Sequence, residues 1–315
     1  MRECAAILMA MTLGFAMPAS PATTADAPLD TAWLDRAWDF DRPAESEARF
    51  RAELGALARG SAASLEVSTQ LARAQGLQRN FDAAHATLDA VEQALPGKPE
   101  RVAVRYLLER GRVFNSSQQP DKAVPLFKDA LTLARAARED FLAIDAAHML
   151  GIAAPAEEGL KWNLEAVAMT ERTSDARARR WLASLYNNIG WANLERGDYA
   201  TALAYFEKAV PAWEARGDPR GVRIARWTVA RAYRSLGRHD DALAIQRQLE
   251  AEGAAANAPD GYVYEELGEL LLAKGERAAA QPNFARAFEL LGGDAGLRAN
   301  EPERLSRLRR LGGIE

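Results

Sequence analysis

The sequence predicts an all-α protein assembled from repeated helical hairpins, and three observations carry that prediction. Alanine, leucine, arginine and glutamate dominate while valine, isoleucine and threonine are sparse, a balance that favours helix over strand. Small residues recur in similar surroundings: Ala84, Ala123, Gly159, Ala202, Ala242 and Ala280 follow one another at intervals of 36 to 43 residues. Such a period marks units too small to bury an apolar face alone, which must stack on their neighbours. Between them lie helix breakers, Leu-Pro-Gly-Lys-Pro at 95–99, Arg-Gly-Asp-Tyr at 196–199 and Gly-Asp-Pro-Arg-Gly at 217–221, which punctuate the array.

In chain order, residues 1–27 come first. Arg2, the apolar run from Ala5 to Phe15 and the small residues up to Ala27 resemble a secretory signal peptide, with Ser20-Pro21-Ala22 or Ala25-Asp26-Ala27 as cleavage sites. The apolar run is shorter than the roughly 20 residues that span a bilayer. The expectation is export, to the periplasm in a bacterial cell; a disordered leader on a cytoplasmic protein is the alternative. Cys4 is the only cysteine, so neither an intramolecular disulfide nor a thiolate metal cage is expected.

Residues 28–64 are expected to cap the array, because Phe50, Leu54 and Leu57 stand at i, i+4 and i+7 on one helical stripe. Six units follow within 65–298, at about 65–98, 104–137, 140–173, 183–216, 223–256 and 261–294. Residues 299–315 close the chain with a helix whose Leu305, Leu308 and Leu311 lie among four arginines. Pro125 and Pro282 are expected in the first turn or so of a second helix, where proline costs least. Pro211 is deeper, and a kink or early helix end is expected there.

The clearest unit has Tyr186, Ile189, Gly190, Gly197, Ala202, Phe206 and Ala209; a second has Tyr264, Leu267, Gly268, Gly275, Ala280, Phe284 and Ala287 in the same order. This order resembles the tetratricopeptide repeat, a helix-turn-helix of about 34 residues with bulky residues at positions 4, 7 and 24 and small ones at 8, 20 and 27. A third copy keeps Val229, Ala230, Tyr233, Gly237 and Ala242 but has Gln246 and Leu249 at positions 24 and 27. The resemblance implies a right-handed α-solenoid of about six such hairpins between N- and C-terminal capping helices.

It also implies where a ligand would bind, since first helices of this family present positions 2, 5, 6, 9, 12 and 13 to a concave groove. Those positions hold Arg73, Arg112, Asn115, Asp145, His148, Asn187, Asn188, Trp191, Trp227, Arg231, Arg234, Glu265, Glu266 and Glu269. Arginine and tryptophan are enriched at interface hot spots, arginine grips carboxylates in a two-pronged fashion, and side-chain amides bond both peptide N–H and C=O groups. An extended peptide or protein partner is therefore expected. Trp191 and Trp227 have packing between repeats as an equal alternative, Arg112 and Arg231 have internal salt bridges, and the Glu265 cluster reads more simply as a solvated face. The family's carboxylate clamp, with lysine at position 5, is not supported, because no unit has lysine there.

Other functions find less in the sequence. The 40 basic and 44 acidic residues give no overall field for nucleic acid. The three histidines show no zinc-ligand spacing, and no phosphate-binding loop or nucleophile elbow occurs. No cofactor, metal or catalytic residue is expected, and no transmembrane segment once the leader is removed. A sensor of small ligands is the second reading, and a hydrolase built on His148 and Asp145 the third.

Overall fold

The computed structural model describes residues 29–314, which contain seventeen helices and no strand. The expected leader and both of its cleavage sites lie outside the described residues. By packing the chain divides near Val102 into two units.

The first unit contains α1 (Thr31–Ala37), α2 (Pro43–Ala56), α3 (Ala62–Leu77) and α4 (Phe81–Gln93). Pro43 sits at the start of α2, where the missing N–H has no helical partner to lose. Phe50 is fully buried among Leu34, Val67, Leu71 and Ala74, with Leu54 and Leu57 against the same cluster, as the apolar stripe predicts. The sequence reading did not anticipate α1. Its seven residues add Trp33 and Leu34 to the cluster, and its N-cap Asp30 accepts the Ala32 N–H. Paired helices α3 and α4 form the first hairpin.

The second unit stacks five hairpins. After α5 (Glu100–Ser116), which begins at the boundary, come α6 (Pro120–Ala136), α7 (Asp140–Ala153), α8 (Ala156–Arg172) and the four-residue α9 (Ala176–Arg179). Then follow α10 (Leu182–Glu195), α11 (Tyr199–Arg216), α12 (Pro219–Ser235), α13 (His239–Ala255), α14 (Gly261–Ala273) and α15 (Arg277–Leu291). Short α16 (Ala295–Asn300) and α17 (Pro302–Leu311) close the unit. Leu305 and Leu308 are buried in the cluster of the last two hairpins and Leu311 packs against it, so α17 caps the array as its leucine spacing predicts. Counting the first unit's pair, the chain carries six hairpins in an all-α solenoid fold with capping helices.

Close approach within a hairpin depends on one pairing. In the second, fourth and sixth hairpins a glycine at position 8 faces a fully buried phenylalanine at position 24. A Cβ on Gly111, Gly190 or Gly268 would lie 2.4 Å from Phe127, 2.4 Å from Phe206 or 2.8 Å from Phe284. The aromatic ring occupies the space a side chain would need. In the fifth hairpin Ala230 takes the glycine's place and Gln246 the aromatic's, and Gln246 is fully buried with both amide atoms lacking a hydrogen-bond partner.

The turn between paired helices is equally regular. Gly197, Gly237 and Gly275 have φ of 79°, 75° and 82°, the left-handed conformation that closes a helix with paired backbone bonds. Around Gly197 these run from its N–H to Leu194 O at 3.1 Å and from Asp198 N–H to Asn193 O at 2.9 Å.

The prolines depart from expectation. Pro125 and Pro282 lie at the sixth residue of α6 and α15, past the first turn, where each forgoes one helical hydrogen bond. Pro211 does not end α11, which runs on to Arg216. The terminator is Gly217, with φ 68°, and Trp213 beyond the proline is anchored against Gly221, where a Cβ would come within 2.2 Å of its ring.

Candidate functional site

The first helices α10, α12 and α14 bring seven of the sequence-predicted residues together. Trp191, Trp227, Arg231, Arg234, Glu265, Glu266 and Glu269 line one groove of about 750 Å³. Position spacing on each helix sets this: Trp227, Arg231 and Arg234 are at i, i+4 and i+7 of α12, and Glu265 and Glu269 are one turn apart on α14.

Its wall is aromatic. The Trp191 and Trp227 rings lie 6.2 Å apart at 33°, and Trp191 meets Phe206 edge-on at 5.7 Å. Trp227 Nε1–H donates to Tyr262 O at 3.1 Å, which fixes the ring between two hairpins. Both tryptophans thus pack between repeats and line the groove, so the two alternatives are one arrangement. Ile224 and Tyr262 add apolar surface that stays 47% and 37% exposed.

Its floor is ionic. Glu265 and Glu266, expected on a solvated face, are buried, because a basic residue reaches each carboxylate. Arg304 from α17 donates to Glu265 at 2.6 Å, Arg234 holds Glu266 in a two-pronged pair, and Arg307 holds Glu269 in another. The hydrogen bonds to Glu265 outweigh partial burial and raise the pKa of Arg304; Glu269 does the same for Arg307. Arg231 goes the other way: burial lowers its pKa, and the charge of Arg234 adds to the effect.

The remaining predicted residues lie elsewhere. Arg73, in the first unit, stacks its guanidinium over Trp38 and Phe40 at 5.4 and 5.1 Å. Arg112 and Asp145 are buried and bonded to each other, with Glu109 2.8 Å from the same guanidinium. Burial works against the Arg112 charge, yet the two carboxylates outweigh it and raise the pKa. Arg112 thus takes the internal salt bridge that the sequence offered as its alternative, with Asp145 and Glu109 as its partners in place of an open ligand-facing stripe. The ring of His148 lies against Trp181 at 4.8 Å. Asn115 lies in the last turn of α5, its carbonyl accepting the Gln118 N–H at 3.1 Å. Asn187 and Asn188 are half-buried on α10, and Asn187 Oδ1 and Asn188 Nδ2 have no hydrogen-bond partner among the described residues.

Sequence reasoning missed Arg223, Ile224, Tyr262 and Arg304, all of which line the groove. Arg223 was legible, since it stands one turn before Trp227 on the same stripe. Arg304 was not, because the capping helix was read only as a cover. Among the described residues no group of three or more His, Cys, Asp or Glu could hold a metal ion. No described helix is long and apolar enough to cross a membrane.

Comparison with known proteins supports the fold reading. Residues 181–251 match the family model described as tetratricopeptide repeat, and a search of curated proteins gave no match. Among solved structures, BtubC (BKLC) from P. vanneervenii is similar with a TM-score of 0.57 and 18% identity, covering 71% of this chain and 94% of that one. The apo form of RapI aligns with a TM-score of 0.66 at 9% identity, covering 90% and 80%. NprR, solved in complex with its cognate peptide NprX, aligns with a TM-score of 0.52 at 15% identity over 89% and 74%. At such identities the likeness concerns the fold alone. Residues 181–251 match the tetratricopeptide-repeat family, and the hairpins on either side share the fold of these solved structures.

Proposed function

We propose that the protein is a non-catalytic interaction module that binds a peptide segment of a partner in the groove of the last three hairpins. One observation carries this reading. Two tryptophans at 6.2 Å share a groove with half-exposed Ile224 and Tyr262, an apolar surface framed by fixed ion pairs, which is the composition of an interface centre with a polar rim. The NprR structure, which holds a peptide, supports the reading by fold likeness. A volume of about 750 Å³ also lies in the range of small-ligand pockets, roughly 300–1,000 Å³, and favours a small-ligand sensor as the second reading.

Site-specific photo-crosslinking tests the proposal. A benzophenone side chain at Ile224 should capture partner peptides, identified by mass spectrometry, and Trp227→Ala should abolish capture while the helical circular-dichroism signal stays. A benzophenone at exposed Leu164 on α8 is the control. Equal capture at both places would refute the groove.

A further inference from the structure

Five arginines and five carboxylates line this groove, but they are unevenly paired, and the unevenness says what a ligand must carry. Its carboxylates are engaged. Glu265 and Glu301 take Arg304 at 2.6 and 3.0 Å, Glu266 takes Arg234, and Glu269 takes Arg307. Asp260 accepts the Tyr262 N–H at 2.9 Å as the N-cap of α14.

On the basic side two arginines lack a close carboxylate. Arg231 Nη1 donates to Ser235 Oγ at 2.9 Å, and its Nε stands 4.0 Å from a Glu266 oxygen that already accepts from Arg234. Its side chain is only 29% exposed, so the cation is largely desolvated and weakly compensated. Arg223 is exposed and has no ion-pair partner among the described residues. Arg223, Trp227 and Arg231 stand at i, i+4 and i+8 of α12, on one face.

From this juxtaposition we infer that the groove selects a peptide in which an acidic side chain lies next to a bulky apolar one. The inference rests on the peptide reading above and adds the ligand's chemistry. The carboxylate docks on Arg231 and Arg223, and the apolar side chain lies against Trp191 and Trp227. A desolvated guanidinium gains most from a carboxylate, which it grips through two charge-assisted bonds. A basic segment is repelled by both arginines, and a neutral one leaves Arg231 as weakly compensated as before.

The test is selection from a random library of short peptides, displayed with their C-termini joined to the phage coat, on the full chain. Expected are sequences with Asp or Glu within two residues of Trp, Phe or Leu, displaced by added salt. Synthetic copies with amidated C-termini should lose about tenfold in affinity on Arg231→Gln, and also when their acidic residue is replaced by its amide. Arg223→Gln, on an exposed side chain, should weaken binding without touching the fold. Selected peptides that are neutral or basic yet fail to bind Trp227→Ala would overturn the inference and leave the groove reading standing. Dependence on a free C-terminal carboxylate would also overturn it. Failure to select any peptide would sink both.

Discussion

Gly190→Ala is the sharpest test of how the hairpins are built. Alanine is the better helix former by about 1 kcal/mol, so propensity alone predicts a gain at this position of α10. The structure predicts a loss. A Cβ at Gly190 would stand 2.4 Å from Phe206 Cε1 and 2.5 Å from Cδ1, about 1 Å inside the closest ordinary carbon contact of roughly 3.5 Å. Phe206 is fully buried and meets Trp191 edge-on at 5.7 Å, so the ring has no solvent to retreat into. Overpacking of this kind costs about 1–3 kcal/mol, and the overlap with three ring atoms places it at the upper end, for a net loss near 2 kcal/mol. Urea unfolding followed by circular dichroism should show a lower midpoint with an unchanged slope. In a Phe206→Leu background the same change should cost at least about 1 kcal/mol less, since the first hairpin pairs buried Ala72 with buried Leu88 at these two positions. A midpoint equal to or above that of the parent, or additive single and double variants, would refute the account.

Three further outcomes follow from specific contacts. Arg112→Met should destabilise the protein by about 3 kcal/mol in the same urea assay, because it removes the guanidinium that buried Asp145 and Glu109 share; a much smaller loss would mean that other groups or water compensate the two carboxylates. Gln246→Leu should raise stability by about 1–3 kcal/mol, since both amide atoms are buried and unpartnered, and a loss would show that the amide has partners. Asp198 caps α11 by accepting the Thr201 N–H at 3.1 Å, and Thr201 holds its carboxyl below the ordinary value of 3.8. The cap's contribution is complete above the unfolded pKa and is lost as pH falls through the folded one; carboxyl NMR should find the depressed titration, and an ordinary value counts against the cap.

The hairpins were legible because packing repeats in the sequence. Gly190 with Phe206 and Gly268 with Phe284 recur at the same spacing, and their contacts lie within one unit. Helix α1 was illegible because its seven residues, about two turns, are too few to repeat an apolar stripe. Pro211 does not end its helix early, and Trp213 beyond it is anchored against Gly221. The groove was half legible. Position told which residues share a face, but whether a charge is free depends on the helix one repeat away. Arg112 meets Asp145 33 residues on, Arg234 meets Glu266 32 on, and Arg304 reaches back 39 to Glu265. A charge on one first helix has to be read against the opposite charge about one repeat along.

That rule assigns the capping helix a part in the groove's charge. Glu265 and Glu269 stand 34 and 38 residues after Arg231, at the separations that pair first helices elsewhere, and Glu269 is close enough to favour the Arg231 cation. Arg304 and Arg307 of α17 engage both carboxylates. Arg231 is left with weak compensation, a Glu266 oxygen at 4.0 Å, while the last helix engages Glu265 and Glu269. Arg307 does not line the groove, so Arg307→Gln separates this effect from direct contact with a ligand. It should release Glu269 toward Arg231 and weaken the selected acidic peptides severalfold, with a smaller effect on peptides whose acidic residue is amidated. Equal weakening of both peptide classes would mean that Arg307 supports the fold alone. No weakening of either would mean that Arg231 stays weakly compensated without help from the cap.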